Sequence, residues 1–137
     1  MRRQLTDRLY VGDRTAARNI EDLTEAGITA VLRLTHGTPP PYPDSLTVIE
    51  RPLVDGPQND LSNFRVATDR LTALLDADET VLVHCSAGSS RSVAVAGAVL
   101  ARREGVDVET ALTRLQSVHP EADPHPALVD HARRVVE

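Results

Sequence analysis

At 137 residues the chain is long enough for one hydrophobic core and too short for two, so residues 1–137 are read as a single domain. A net charge of −5, with 20 carboxylates against 15 basic side chains that are all arginine, lacks the basic face nucleic-acid binding requires. No apolar run approaches the roughly 20 residues of a membrane span, and the opening MRRQLTDRLYV has no apolar stretch of a secretory signal. A cytoplasmic monomer is expected, with neither nucleic acid nor membrane as partner. The one cysteine, Cys85, rules out an internal disulfide and a zinc site built on several thiolates.

In chain order, LYV at residues 9–11 predicts a short strand. TAARNIEDLTEAG then spaces Ala16, Ala17, Ile20, Leu23 and Ala26 as one helix that stops at Gly27. ITAVLRL at residues 28–34 is β-branched and apolar enough for a buried strand, and the proline-rich HGTPPPYPD at 36–44 cannot extend it because proline lacks the amide donor. LTVIERPLV at 46–54 predicts another strand, followed by the turn-rich DGPQND and a helix with Phe64, Ala67, Leu71, Leu74 and Leu75 on one face, capped by Asp60. TVLVH at 80–84 is a continuous apolar run of the kind found inside a parallel sheet. VAVAGAVLA at 93–101 predicts a helix buried on most sides and ended by Gly105, and VETALTRLQSV and ALVDHARRVV predict two amphipathic helices around the loop HPEADPHP. The alternation predicts an α/β fold: a central, mainly parallel sheet flanked by helices on both faces.

Between the apolar strand and the buried helix lies HCSAGSSRS, residues 84–92. Gly88 permits a tight backbone path, and a loop running from a strand end into a helix N-terminus can turn the amides of Ser86, Ala87, Gly88, Ser89 and Ser90 toward an anion. Arg91 adds a planar fork of donors matched to two phosphoryl oxygens. The same cradle stabilises thiolate over thiol, so Cys85 reads as a nucleophile beneath a bound phosphate, with the Ser92 hydroxyl able to donate to the departing sulfur. The bland alternative, a buried inert cysteine, leaves Gly88, Arg91 and Ser92 needing separate explanations.

HCSAGSSRS resembles the HCxxGxxR[ST] signature of the protein tyrosine phosphatase superfamily, and VLVHCSAGSSRS is especially similar to its dual-specificity branch. The likeness extends to LTDRLYVGDRTAARNIEDLTEAGITAVLRLT, to RPLVDGPQNDLSNF, which resembles the family's general-acid loop, and to HPEADPHPALVDHA near the end. The resemblance implies Cys85 as nucleophile, Arg91 as phosphate and transition-state binder, Ser92 as an aid to thiolate release, and His84 as a buried support of the loop. It implies Asp55 as general acid, where the residues alone suggest a turn aspartate in a DG pair. It also implies phosphorylated protein substrates and no cofactor. The chain departs from the family's pattern at Arg33, where asparagine is frequent, and at His125, where the late loop often carries asparagine. No segment resembles the tyrosine-bearing recognition loop of phosphotyrosine-specific enzymes, and the active loop lacks both the lysines of inositol-lipid phosphatases and the HCTHG form of RNA triphosphatases.

Two rival classes share these features. A sulfurtransferase or arsenate reductase also places a cysteine in an anion-binding loop, but the signature spacing and Ser92 favour a phosphatase, and arsenate reduction usually needs further thiols. A catalytically silent module that captures phosphorylated partners is the other, and such proteins typically lose the nucleophile or the acid. His36, His119, His125 and His131 form no recognisable metal motif and are expected to be solvated, with no metal site.

Overall fold

A computed structural model describes all residues, Met1 to Glu137. Its centre is a five-stranded sheet in the order β1-β2-β5-β3-β4, built from β1 (Arg2–Thr6), β2 (Leu9–Gly12), β3 (Ala30–Arg33), β4 (Thr47–Glu50) and β5 (Val81–His84). All pairings are parallel except β1 with β2. The three central strands, β2, β5 and β3, are buried at every position, so no polar alternation marks them; their side chains nonetheless divide between two cores. Leu9, Val11, Ala30, Leu32, Val81 and Val83 face one way, whereas Tyr10, Val31 and Leu82 face the other.

The first of these faces is covered by α3 (Leu61–Asp76), α4 (Arg91–Glu104), α5 (Val108–Val118) and α6 (Pro126–Val136). The second is covered by α1 (Arg14–Arg18) and α2 (Ile20–Glu25). Helix α4 is central: each residue from Ser92 to Ala101 is buried, which is why its sequence is apolar all round. Helix α3 buries Phe64, Ala67, Thr68, Leu71 and Leu75 along one stripe, and truncating the fully buried Phe64 to alanine costs about 3–5 kcal/mol. No helix is long and apolar enough to cross a membrane.

Three features differ from the sequence reading. β1 was not expected, because it is an edge strand whose arginines hide its pattern: Arg2 pairs with Asp22, and Arg3 with Glu121. The helix expected from Thr15 to Gly27 is two helices. Asn19, at φ −87° and ψ 78°, breaks the run, and its Oδ1 accepts from the Asp22 amide at 3.2 Å to start α2. The strand expected over 46–54 closes at Glu50, because Pro52 has no N–H; the Arg51 and Leu53 amides still bond to the carbonyls of Arg33 and Leu34 at 2.8 and 3.0 Å.

Candidate active site

The row Gly12, His84, Arg33 and Glu50 crosses four parallel strands in register, and the chemistry-bearing residues begin just beyond it. β5 delivers Cys85, which is 2% exposed, and its amide bonds to the Gly12 carbonyl at 3.3 Å. The chain then turns through residues 86–90 and enters α4 at Arg91.

Three of the loop's carbonyls are engaged by neighbouring segments. The Ser86 carbonyl accepts from the Arg14 amide at 3.0 Å, the Ser89 carbonyl from the Asp123 amide at 2.7 Å, and the Gly88 carbonyl lies 2.8 Å from His119 Nε2. In contrast, the amides of Ser86, Ala87, Gly88, Ser89 and Ser90 donate to no group in the protein. Carbonyls tied outward and amides left free make an anion nest at the N-terminus of a 14-residue helix. Gly88 is needed for this path: its φ is +74°, and a Cβ there would lie 2.8 Å from the Gly12 carbonyl carbon and 3.0 Å from the Asp13 nitrogen, both backbone atoms.

Cys85 Sγ sits 3.2 Å from Ser92 Oγ, and Ser92 is fully buried one turn into α4. Arg91 Nη1 donates to the Leu53 carbonyl at 3.1 Å, which holds the guanidinium at the loop and anchors it two residues before Asp55. Asp55, 30 residues upstream of Cys85 in sequence, is brought against the same loop: its Oδ1 accepts from Ser90 Oγ at 2.5 Å. Ser90 Oγ in turn accepts from the His125 amide at 2.8 Å. Every sequence-predicted site residue therefore converges on one loop.

Behind it, His84 is 1% exposed with Nδ1 3.3 Å from the Cys85 carbonyl. A carbonyl only accepts, so this contact puts the proton on Nδ1. Burial, together with the charges of Arg33, Arg14 and Arg91, lowers His84 to about 4, and the ring is neutral at pH 7.

Several supporting residues escaped the sequence reading. Asn59 staples the turn around Asp55, its Oδ1 accepting from the Val54 amide at 2.7 Å and its Nδ2 donating to the Val54 and Gly56 carbonyls at 2.6 and 3.2 Å. Of the four histidines expected to be solvated, His36 is exposed and the other three are built into the fold. His119 is fully buried against the Gly88 carbonyl, His131 Nε2 lies 2.9 Å from the Asn59 carbonyl, and His125 caps α6 by accepting from the Ala127 amide at 3.0 Å. Asp60 occupies the N-cap position of α3 but makes no side-chain cap bond. Arg33, which stands where the family often has asparagine, pairs with Glu50 on the adjacent strand. No three His, Cys, Asp or Glu side chains are gathered as a metal site.

A mainly parallel sheet that delivers a cysteine into a nest of free amides, with an arginine at the helix entry, is the arrangement that the resemblance to the dual-specificity phosphatases implies. The family model for the dual specificity phosphatase catalytic domain matches residues 9–131, and the chain belongs to that family. It is 38% identical over 123 residues to rat dual specificity protein phosphatase 12, covering 83% of this chain and 35% of that protein. With human dual specificity phosphatase 28 it shares 29% identity over 130 residues, covering 94% of this chain and 74% of that one. The chain thus spans about a third of the first relative and about three quarters of the second. Among solved structures, human dual specificity phosphatase 28 superposes with a TM-score of 0.86 at 27% identity, covering 98% of this chain and 91% of that one. A mouse putative dual specificity phosphatase complexed with zinc tungstate superposes with a TM-score of 0.88 at 27% identity, covering 98% and 85%. Membership sets aside the sulfurtransferase and arsenate reductase readings.

Proposed function

We propose that this domain hydrolyses phosphotyrosine and phosphoserine or phosphothreonine monoesters on proteins through a phosphocysteine at Cys85. The observation that carries the reading is the shared loop: the buried Sγ, five free amides, the Arg91 fork and the Ser90-bound carboxylate of Asp55 all meet there. The complex of the mouse relative with zinc tungstate adds support, because tungstate is a tetrahedral oxyanion of phosphate-like shape.

In the first step the substrate phosphate lies on the amides and the Arg91 fork, and the Cys85 thiolate attacks phosphorus in line with the leaving oxygen. The S–P bond forms as the P–O bond breaks, and Asp55 delivers its proton to the departing alkoxide or phenoxide. In the second step the Asp55 carboxylate takes a proton from water, whose oxygen attacks phosphorus. The S–P bond breaks, the electron pair returns to sulfur, and the Ser92 hydroxyl donates a hydrogen bond to the thiolate. Phosphate leaves and the protons balance over the cycle. His84, neutral and bonded to the Cys85 carbonyl, supports the loop and does not shuttle protons. We read residues 1–137 as one catalytic unit that works as a monomer and uses no cofactor or metal.

Rapid quenching during turnover of an aryl phosphate, followed by peptide mass spectrometry, tests the mechanism. Phosphate on Cys85 is expected. Steady release of phosphate with no label on Cys85 overturns the covalent route, and capture of phosphopeptides with no release over hours shows a silent binding module instead.

A further inference from the structure

On the α1 side of the phosphate loop lies a small cleft of about 80 Å³, bounded by Arg14 and Arg18 on α1, Arg33 at the end of β3, His36 and His84. Its setting is unusual for a chain of net charge −5, because no carboxylate lines it. Glu50 on the edge strand is the one acid bonded to any of these arginines, and it holds Arg33 alone. Arg14 donates to Ser86 Oγ at 2.9 Å and Arg18 bonds to nothing, so two guanidinium charges stand uncompensated beside the loop.

The deeper wall adds an independent observation. Arg33 is 4% exposed yet its Nε has no partner. A buried donor without an acceptor costs about 1–3 kcal/mol. Arg33 stands directly opposite His84 in the sheet, and His84 precedes Cys85. Arg14 touches the loop residue that follows Cys85. The cleft and the phosphate cradle therefore share a wall. The charges of Arg33, Arg14 and Arg91 all bear on His84 and help to keep it neutral.

Resting on the phosphatase reading above, we propose that this cleft is a second anion subsite, which holds an acidic side chain flanking the phosphorylated residue of a peptide substrate. The flanking group is a carboxylate or a second phosphate; guanidinium forks donate to both bidentately. The small volume suits one acidic side chain, and the chain's net charge of −5 disfavours extended polyanions and anionic membranes.

The test uses phosphopeptides that differ only at positions within two residues of the scissile phosphoresidue, carrying alanine, glutamate, phosphoserine or lysine. kcat/KM is measured on the wild-type chain and Kd on Cys85→Ser. At the favoured flank, phosphoserine should exceed alanine by about tenfold, the worth of one charge-assisted contact, with glutamate between them and lysine below. The preference should fade as salt rises and the Debye length shrinks. Arg18 is exposed and its side chain makes no hydrogen bond or ion pair, so Arg18→Glu should fold normally and bring phosphoserine and alanine to within about twofold. Alanine and phosphoserine peptides within twofold of one another at every flank, in both turnover and binding, overturn the subsite. So does a preference that survives both Arg18→Glu and Arg14→Ala. Turnover without preference sinks the subsite and leaves the hydrolase standing; preference in Cys85→Ser binding without wild-type turnover does the reverse.

Discussion

The phosphate loop and the loop that carries Asp55 meet at Ser90 but are built on opposite plans. Residues 85–90 are bonded outward to β2, α1 and the loop before α6, and Cys85, Gly88 and Ser90 are buried. Asp55 is exposed, held by the Asn59 staple behind it and one hydroxyl in front. A rigid cradle preorganises amides for charge that develops in the transition state, where reorganisation would be costly. The acid, by comparison, must approach substrates whose leaving groups differ in size and must alternately give and take a proton. On the proposed mechanism the first loop binds the anion and the second serves the leaving group, so variants in the two should fail differently.

Cys85→Ser gives the largest effect: turnover falls to background because a hydroxyl stays protonated at neutral pH, while vanadate or phosphate binding persists in the intact nest. Titration calorimetry and an aryl phosphate assay check the two halves, and loss of binding along with turnover would mean that the thiol shapes the cradle. Asp55→Asn should lower kcat on a phosphopeptide by about 10²–10⁴, the usual worth of a positioned general acid. The loss should shrink on an activated aryl phosphate whose leaving group is already a stable anion. A loss equal for every leaving group would show that Asp55 acts on the cradle and not on the leaving oxygen.

Behind the cradle, His84 supplies a pH-dependent test of its rigidity. Its folded-state value, lowered by burial to about 4, lies below the ordinary 6.5, so the unfolded chain binds the extra proton between these limits. Its contribution is whole above pH 6.5 and is lost as pH falls toward 4. Between pH 7 and 4.5, urea unfolding of the wild type should therefore lose about 2 kcal/mol more than His84→Gln, which has no proton to gain. Equal losses in the two proteins would contradict the buried neutral ring. The smallest effect is expected at Asp60, an exposed residue that bonds to nothing through its side chain at the start of α3. Asp60→Asn should change neither rate nor stability by more than about 0.5 kcal/mol, and a leaving-group dependence there would transfer the acid's role from Asp55.

Much of the cradle was legible because its chemistry is local: strand, glycine turn, arginine and helix follow one another within HCSAGSSRS, and each residue type has a physical reason to be there. Asp55 needed family resemblance, since nothing local tells an aspartate in a DG turn that it will stand beside Ser90. Asn59 was not read at all, and His119 and His131 were expected to be solvated, because each acts through main-chain groups and no side-chain pattern announces such a bond. The break at Asn19 was missed for a different reason: the apolar spacing of one helix continues across it, and the competing signal is a single capping side chain. β1 was hidden by its arginines, whose partners lie on α2 and in the loop before α6.

The row Gly12, His84, Arg33 and Glu50 has a consequence for how the molecule reaches its working form. The pairings of β5 with β2 and with β3 join segments far apart in the chain, a slow class of contact to form. A slip of one residue in any pairing would also invert which side chains face each core, moving Val31 or Leu82 to the wrong side. It would at the same time displace Cys85 from the Gly12 carbonyl. During refolding from denaturant, helical signal can return while strands are still misaligned, but hydrolysis cannot. Regain of enzymatic rate should therefore lag regain of ellipticity and follow the last strand to settle, which makes the enzyme its own reporter of register.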